Sequence, residues 1–280
     1  MRIAYKLMLL VCGFFLLAEI GLANQVENTT RFNRNTDLLI MQFDCKTDVD
    51  DIHSAAALKM LMTNPRFSTV NYYAVAGTYG VQEGLYVPPN ELFKMAFGEN
   101  WADAHSNREK ALEKVKVVVL GYLKKGGNIW IAEAGQTDFS AALIKALQKD
   151  APEINTAKGI HIVQHSDWNE QVTSEESLAF VKVTSNYHKI PDGNAEGNGT
   201  PGFRTPGYNS WKTDVKDTEL IQIWRKAIEI GLRYNGKDGR YNNEAVASGG
   251  LDFSDLSEVC WILGIEYIKD TEEFFSTFGR

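Results

Sequence analysis

Short apolar runs alternate with longer amphipathic ones along most of the chain. DLLIMQF at 37–43 is apolar on both faces, the pattern of a strand covered on both sides of a sheet. Residues 50–62 read as a helix, with Ile52, Ala55, Ala56 and Met60 at three- and four-residue spacing. The same reasoning gives strands at 69–76, 128–132 and 159–163, and helices at 90–97, 106–124, 139–148 and 174–185. Thr173 and Glu176 have capping-box spacing at the start of the last of these. Between Lys189 and Trp211 Gly, Pro and Asn dominate, so a long loop is expected. A helix at 218–234 carries Leu220, Ile223, Trp224 and Ala227 on one stripe. A loop over 235–253 leads to a helix at 256–264, and a short one closes the chain near Glu272. Strands alternating with helices predict the α/β class: an open, mostly parallel sheet flanked by helices on both faces. No linker or repeat interrupts residues 24–280, which are expected to form one domain.

At 280 residues, 44% hydrophobic and 11% aromatic, the chain is neither disordered nor a small disulfide scaffold. With 29 basic against 36 acidic groups, net −7, and no basic tract, nucleic acid is not an expected partner. Arg2 and Lys6 precede an apolar stretch from Leu7 to Leu17, and Gly21-Leu22-Ala23 offers small residues at cleavage positions. Residues 1–23 are therefore expected to be a signal peptide, and the protein secreted or periplasmic. That stretch is shorter than the ~20 apolar residues of a membrane span, and no later segment approaches this length. Cys45 and Cys260 could form one bridge, but buried free thiols are the preferred reading. Asn28-Thr29-Thr30 and Asn198-Gly199-Thr200 match glycosylation acceptors.

Ligands of open parallel sheets sit beyond the carboxyl ends of the strands. There the sequence places Asp44, Lys46, Asp48, Asp50 and Asp51 after the first strand. Tyr79 and Gln82 follow the second, Glu133, Gln136 and Thr137 the third, and His165, Trp168, Asn169 and Glu170 the fourth. Asp252 and Asp255 precede the 256–264 helix. The expected result is a polar crevice rich in carboxylates. DCKTDVDD at 44–51 puts four carboxylates in eight residues, which repel unless solvated, protonated or neutralised by a cation. Oxygen-only donors favour calcium or magnesium over zinc. The competing local explanation is that Asp50 and Asp51 occupy a helix N-terminus, where free amides favour acids. Asp255-x-x-Glu258 likewise reads as a capping box. His53 reads as a core histidine. There is no Walker A, HExxH or GxSxG motif, and the GxGxxG letters at 197–202 follow no strand.

DCKTDVDD resembles the N-terminal aspartate signature of nucleoside hydrolases, DTDxGxDD. AEAGQTDFSAAL at 132–143 is similar to that family's GPLTN-type strand-to-helix turn. HSDWNEQVTSEESLAFV at 165–181 resembles the region of its substrate-binding Asn, and SDLSEV at 254–259 its late His-Asp pair. The likeness spans most of 37–264 and is nearer to a divergent secreted branch of the superfamily. It implies a calcium-binding α/β hydrolase of an N-glycosidic (ribosyl) or related glycosyl bond, acting on a small-molecule nucleoside or sugar. By position, Asp44 would be the general base on metal-held water, and Asp50 would act in catalysis and hold the ribose hydroxyls. Asp51, Asp48, Thr137 through its carbonyl, and Asp255 would ligate calcium. Asn169 would contact the sugar and Trp168 or Tyr79 would stack on a base, with His165 and Glu170 completing the substrate-binding set. Lys46 stands where the family has a ligating Asp, Asp48 where it has Gly, and Ser254 where it has His. Two alternatives stay open: an inactive carbohydrate- or nucleoside-binding protein with Lys46 replacing the metal, and a two-carboxylate glycoside hydrolase using Asp44 and Asp255. Homo-oligomerisation is equally open.

Overall fold

The computed structural model describes residues 31–195 and 197–279. The signal peptide expected at 1–23 and the acceptor at Asn28 lie outside these residues. One sheet holds β1 (Leu38–Phe43), β2 (Asn71–Ala76), β3 (Trp101–Asp103), β4 (Ile129–Ala134), β5 (Ile160–His165) and β6 (Asn186–Ile190). All six run parallel in the order β3-β2-β1-β4-β5-β6. The α/β class and the flanked parallel sheet are thus as the sequence indicates. The winding direction reverses between β1 and β4, which opens a crevice beyond their carboxyl ends. Two short strands, β7 (Arg204–Thr205) and β8 (Leu251–Asp252), form a separate antiparallel pair.

The helices are α1 (Asp50–Thr63), α2 (Asn90–Phe97), α3 (Arg108–Leu123), α4 (Asp138–Asp150), α5 (Thr156–Gly159) and α6 (Asp167–Gln171). They continue with α7 (Glu175–Thr184), α8 (Trp211–Asp214), α9 (Thr218–Tyr234), α10 (Glu244–Ala247), α11 (Ser257–Leu263) and α12 (Thr271–Phe278). Side chains alternate across each strand. Leu39, Met41 and Phe43 enter one core with α1, α2, α9, α11 and α12, whereas Leu38 and Ile40 enter the other with α3, α4 and α7. The first core is closed by a knot of rings: Phe203 stacks on Phe253 at 4.5 Å, and Phe253 meets Phe274 at 5.0 Å and Trp224 at 5.9 Å. Burying each such ring contributes about 1.5–3 kcal/mol, and together they fix the segment after β8 against the sheet.

The departures from expectation have local causes. β3 is three residues long, too short for a periodic signal. The edge strand β6, NYHKI, is mostly polar and half-exposed, so the expected loop begins only after Ile190. Helix α7 is capped by Ser174, whose Oγ accepts the Ser177 amide, and not by Thr173. The Thr173 hydroxyl instead donates to the Asn169 carbonyl at 2.7 Å and receives the Thr137 amide. Cys45 and Cys260 are buried free thiols. Among the described residues no helix is long and apolar enough to cross a membrane.

Candidate functional site

The β1–α1 turn is latched by its own carboxylates. Asp44 Oδ1 accepts the Lys46 amide at 2.7 Å, and Asp51 Oδ2 accepts the Cys45 amide at 2.5 Å. Cys45 itself sits at φ 53, a conformation that side chains enter only when held. From β4, Gln136 Nε2 donates to Asp44 Oδ2 at 2.7 Å. Gly135, at φ 134, lies so close that a Cβ there would stand 2.6 Å from Asp44 Oδ2. The Asp44 carboxyl is thereby fixed against the end of β4.

The second half of the site comes from the 3-10 turn Ser254–Leu256. The expected capping box at Asp255 does not form, because α11 has no side-chain cap. Asp252 takes the local role, accepting the Ser254 amide at 3.2 Å and its hydroxyl at 2.8 Å. Asp255 is left to face Asp50 and Asp51, and one oxygen from each of the three lies within 4.8 Å of the others. Asp51 Oδ1 and Asp255 Oδ2 are buried with no hydrogen-bond partner. Burial, reinforced by the neighbouring negative charges, holds Asp50, Asp51 and Asp255 well above the usual carboxylate range. Burial also lifts Asp44 to about 6. Three converging carboxylates with unpartnered buried oxygens and no nitrogen or sulfur donor fit a hard divalent cation.

These groups floor a cavity of about 830 Å³ over the carboxyl ends of β1, β4 and β5. His165, Trp168 and Asn169 form one wall, Arg204 and Tyr241 another. Ser166, at φ 67, makes the β5–α6 turn and caps Trp168. The turn leaves the Trp168 indole 59% exposed at the mouth. Burial alone would depress the His165 imidazole, but the Glu258 carboxylate 2.8 Å away overrides it and lifts the value to about 9. The Glu258 carboxylate thus favours the protonated form of the His165 imidazole. Asn169 also turns its amide toward the His165 carbonyl at 3.4 Å.

Of the residues singled out in the sequence, Asp44, Asp50, Asp51, Asp255, His165, Trp168 and Asn169 converge on the cavity. Asp48 lines it too, but Asn243 Nδ2 sits 3.1 and 3.2 Å from its two oxygens, outside the three-carboxylate group. Burial and the Asp252 charge lift Asp48 to about 6. Thr137 is buried away from the cavity, its carbonyl accepting the Ala141 amide at 2.8 Å to open α4. Glu170 points to the far side, held by Lys182 at 2.8 Å and by Lys189 and Tyr187. Tyr79 bonds His105 at 2.9 Å and is covered by the Lys46 ammonium at 4.3 Å. The Lys46 Nζ donates to the Gln82 carbonyl, and among the described residues it pairs with no carboxylate. His53 is a core residue whose Nδ1 accepts the Asp252 amide at 3.2 Å.

Arg204 and Tyr241 line the cavity without having been singled out by sequence, and Glu258, read there only as a capping partner, holds His165 behind it. Arg204 lies in the Gly- and Pro-rich loop, where no period marks a residue. Its Nε lies 3.4 Å from Asp252 and its guanidinium holds the Tyr241 hydroxyl at 3.2 Å. Gln136 was visible only as a polar group at a strand end. No protein-family model matches the chain, and a search of curated proteins finds no significant match.

Proposed function

We propose that this protein is a hydrolase of glycosyl bonds, N-ribosyl bonds first among them, acting on a small-molecule nucleoside or sugar outside the cytoplasm. The observation that carries the reading is the convergence of Asp50 and Asp51 with Asp255 beside Asp44 on the cavity floor, at the switch point of the sheet. Asp50, Asp51 and Asp255 would hold a divalent cation, with calcium the first expectation. Such a cation, when bound, makes adjacent water more acidic and holds it in place.

Asp44 would be the proton acceptor for the hydrolytic water. Gln136 and the Lys46 amide fix its oxygens, and Gly135 leaves it no room to swing toward β4. Asp50, partly open to the cavity, would hold sugar hydroxyls. Negative charge on the floor favours the positive character a glycosyl centre develops as its bond breaks. Trp168 offers an exposed ring face to the leaving group or to a sugar. The second reading is a binding protein in which Lys46 stands in for the cation: its ammonium, engaged by Gln82 and Tyr79, lies in the same cavity and acts on Asp44.

The test is release of reducing sugar from a panel of nucleosides and a panel of glycosides, with calcium, with magnesium and with chelator. Release from nucleosides that stops with chelator and in Asp44→Asn is the expected result. Release from glycosides alone would move the substrate to sugars. No release from either panel would overturn the proposal.

A further inference from the structure

Glycosyl cleavage needs a proton donor as well as a base. The leaving nitrogen or oxygen departs with the bonding pair and is a poor anion unless a proton reaches it. The floor supplies carboxylates, so a second kind of group has to come from the walls.

His165 closes β5 and lines the cavity. Gln42 of β1 and Gln164 of β5 are both level with Glu133 of β4, so their backbones stand two strand spacings apart, about 9–10 Å. Asp44 and His165 follow these two residues and straddle the end of β4. There the cavity is lined by Ala134 and Gly135, which project little into the gap.

Three contacts hold His165. Glu258 of α11, wholly buried, sets its Oε1 2.8 Å from the ring Nδ1, and the same oxygen accepts the His165 amide at 3.1 Å. The Asn169 side chain donates to the His165 carbonyl at 3.4 Å. Among the described residues Nε2 has no hydrogen-bond partner. A carboxylate behind one ring nitrogen, with the other left free, is how an imidazole is oriented for proton transfer. Trp168, three residues on, exposes its ring at the mouth, so a leaving group stacked there lies along the same wall.

Resting on the hydrolase reading of this site, we propose that His165 is the general acid that protonates the leaving group and that Glu258 is its positioning residue. As the glycosyl bond breaks, its electron pair goes to the leaving atom, which takes the proton from Nε2. Water bonds to the sugar carbon and gives a proton to Asp44. One proton is given and one taken, and exchange with solvent resets both groups. Glu258 from α11, Asp255 from the 3-10 turn and Asp192 from the loop after β6 all favour the protonated ring against its burial. Only Glu258 pairs with it among the described residues, so a cation on the floor leaves this pair in place.

The test uses two substrate pairs with calcium present: inosine and p-nitrophenyl riboside, and methyl glucoside and p-nitrophenyl glucoside. The p-nitrophenolate leaves unaided, whereas a purine or methoxide does not. In the pair that wild type cleaves, His165→Gln should slow the poor leaving group by at least about a hundredfold and leave the aryl substrate nearly untouched. With the poor leaving group, wild-type kcat should fall as pH rises through about 9, and Glu258→Gln should move that limb toward or below 6.5. Equal loss on both members of a pair, an alkaline limb unmoved in Glu258→Gln, or a wild type that cleaves only aryl substrates overturns the assignment while the hydrolase reading stands. A wild type that cleaves none of the four overturns both.

Discussion

Asp51→Asn removes one charge from the acidic floor at almost constant volume. Asp51 has oxygens of Asp50 and Asp255 within 4.8 Å, and the Asp44 charge close by. Two unit charges at that separation repel by about 3–4 kcal/mol at an effective dielectric near 20, so two ionised neighbours would oppose Asp51 by about 7 kcal/mol. Burial is the larger cause of the upward displacement of all three carboxyls, and this repulsion adds to it. The folded protein then keeps protons that the unfolded chain has released, and stability falls as pH rises above about 4. For Asp44 alone the interval from 3.8 to about 6 corresponds to about 3 kcal/mol, lost between those pH values. Asparagine at 51 can still accept the Cys45 amide, and its nitrogen converts the unpartnered oxygen into a donor toward the remaining carboxylates. In chelator at about pH 8 the variant should gain about 1–3 kcal/mol, at about 2–4 °C of Tm per kcal/mol by scanning calorimetry. Calcium should raise the wild-type Tm and barely move the variant's, closing or reversing the gap. A variant less stable in both conditions, with a wild type indifferent to calcium and magnesium, would refute the electrostatic account.

Asp44→Asn should reduce turnover by at least about a hundredfold with little change in substrate Kd, measured by single-turnover kinetics and equilibrium binding. In the cation-free protein Asp44 loses its proton through about pH 6, so base function belongs above that value; in kcat against pH, an activity that peaks well below it would exclude Asp44. Gly135→Ala should cost about 1–3 kcal/mol in denaturant unfolding and depress turnover, because its Cβ would press on Asp44. Glu258→Gln should return the His165 imidazole toward or below its ordinary 6.5, visible in the NMR titration of its ring protons. The stabilisation from this pair is complete below about pH 6.5 and is lost as pH rises through about 9, so the variant's deficit should vanish in alkali.

The bodies of β1, β2, β4 and β5 were legible because they are mostly apolar, and the amphipathic helices because their stripes are unbroken over several turns. β3 and β6 escaped for opposite reasons: one is too short, and the other is an edge with little to bury. Within the site, the aspartates of the β1–α1 turn announced themselves by crowding. Asp255 carried a misleading local signal, since its spacing to Glu258 matches a cap, and only the tertiary contact shows Glu258 turned to His165. Glu170 and Tyr79 followed strand ends as active-site groups do, yet nearby lysines and His105 engage them elsewhere. Direction of a side chain off a loop is a property of what packs behind it, and that is not written in adjacent residues.

The acidic floor joins segments separated by roughly two hundred residues, a closure late in any folding order because so much chain must first be organised. Neither half alone offers the three converging carboxylates, so an immature chain lacks the complete set for a divalent cation. The ion would then act as a keystone set last. Withdrawing it should loosen the seating of the Ser254–Leu256 turn while the six-stranded sheet stands, and hydrogen exchange in that turn would record the slackening.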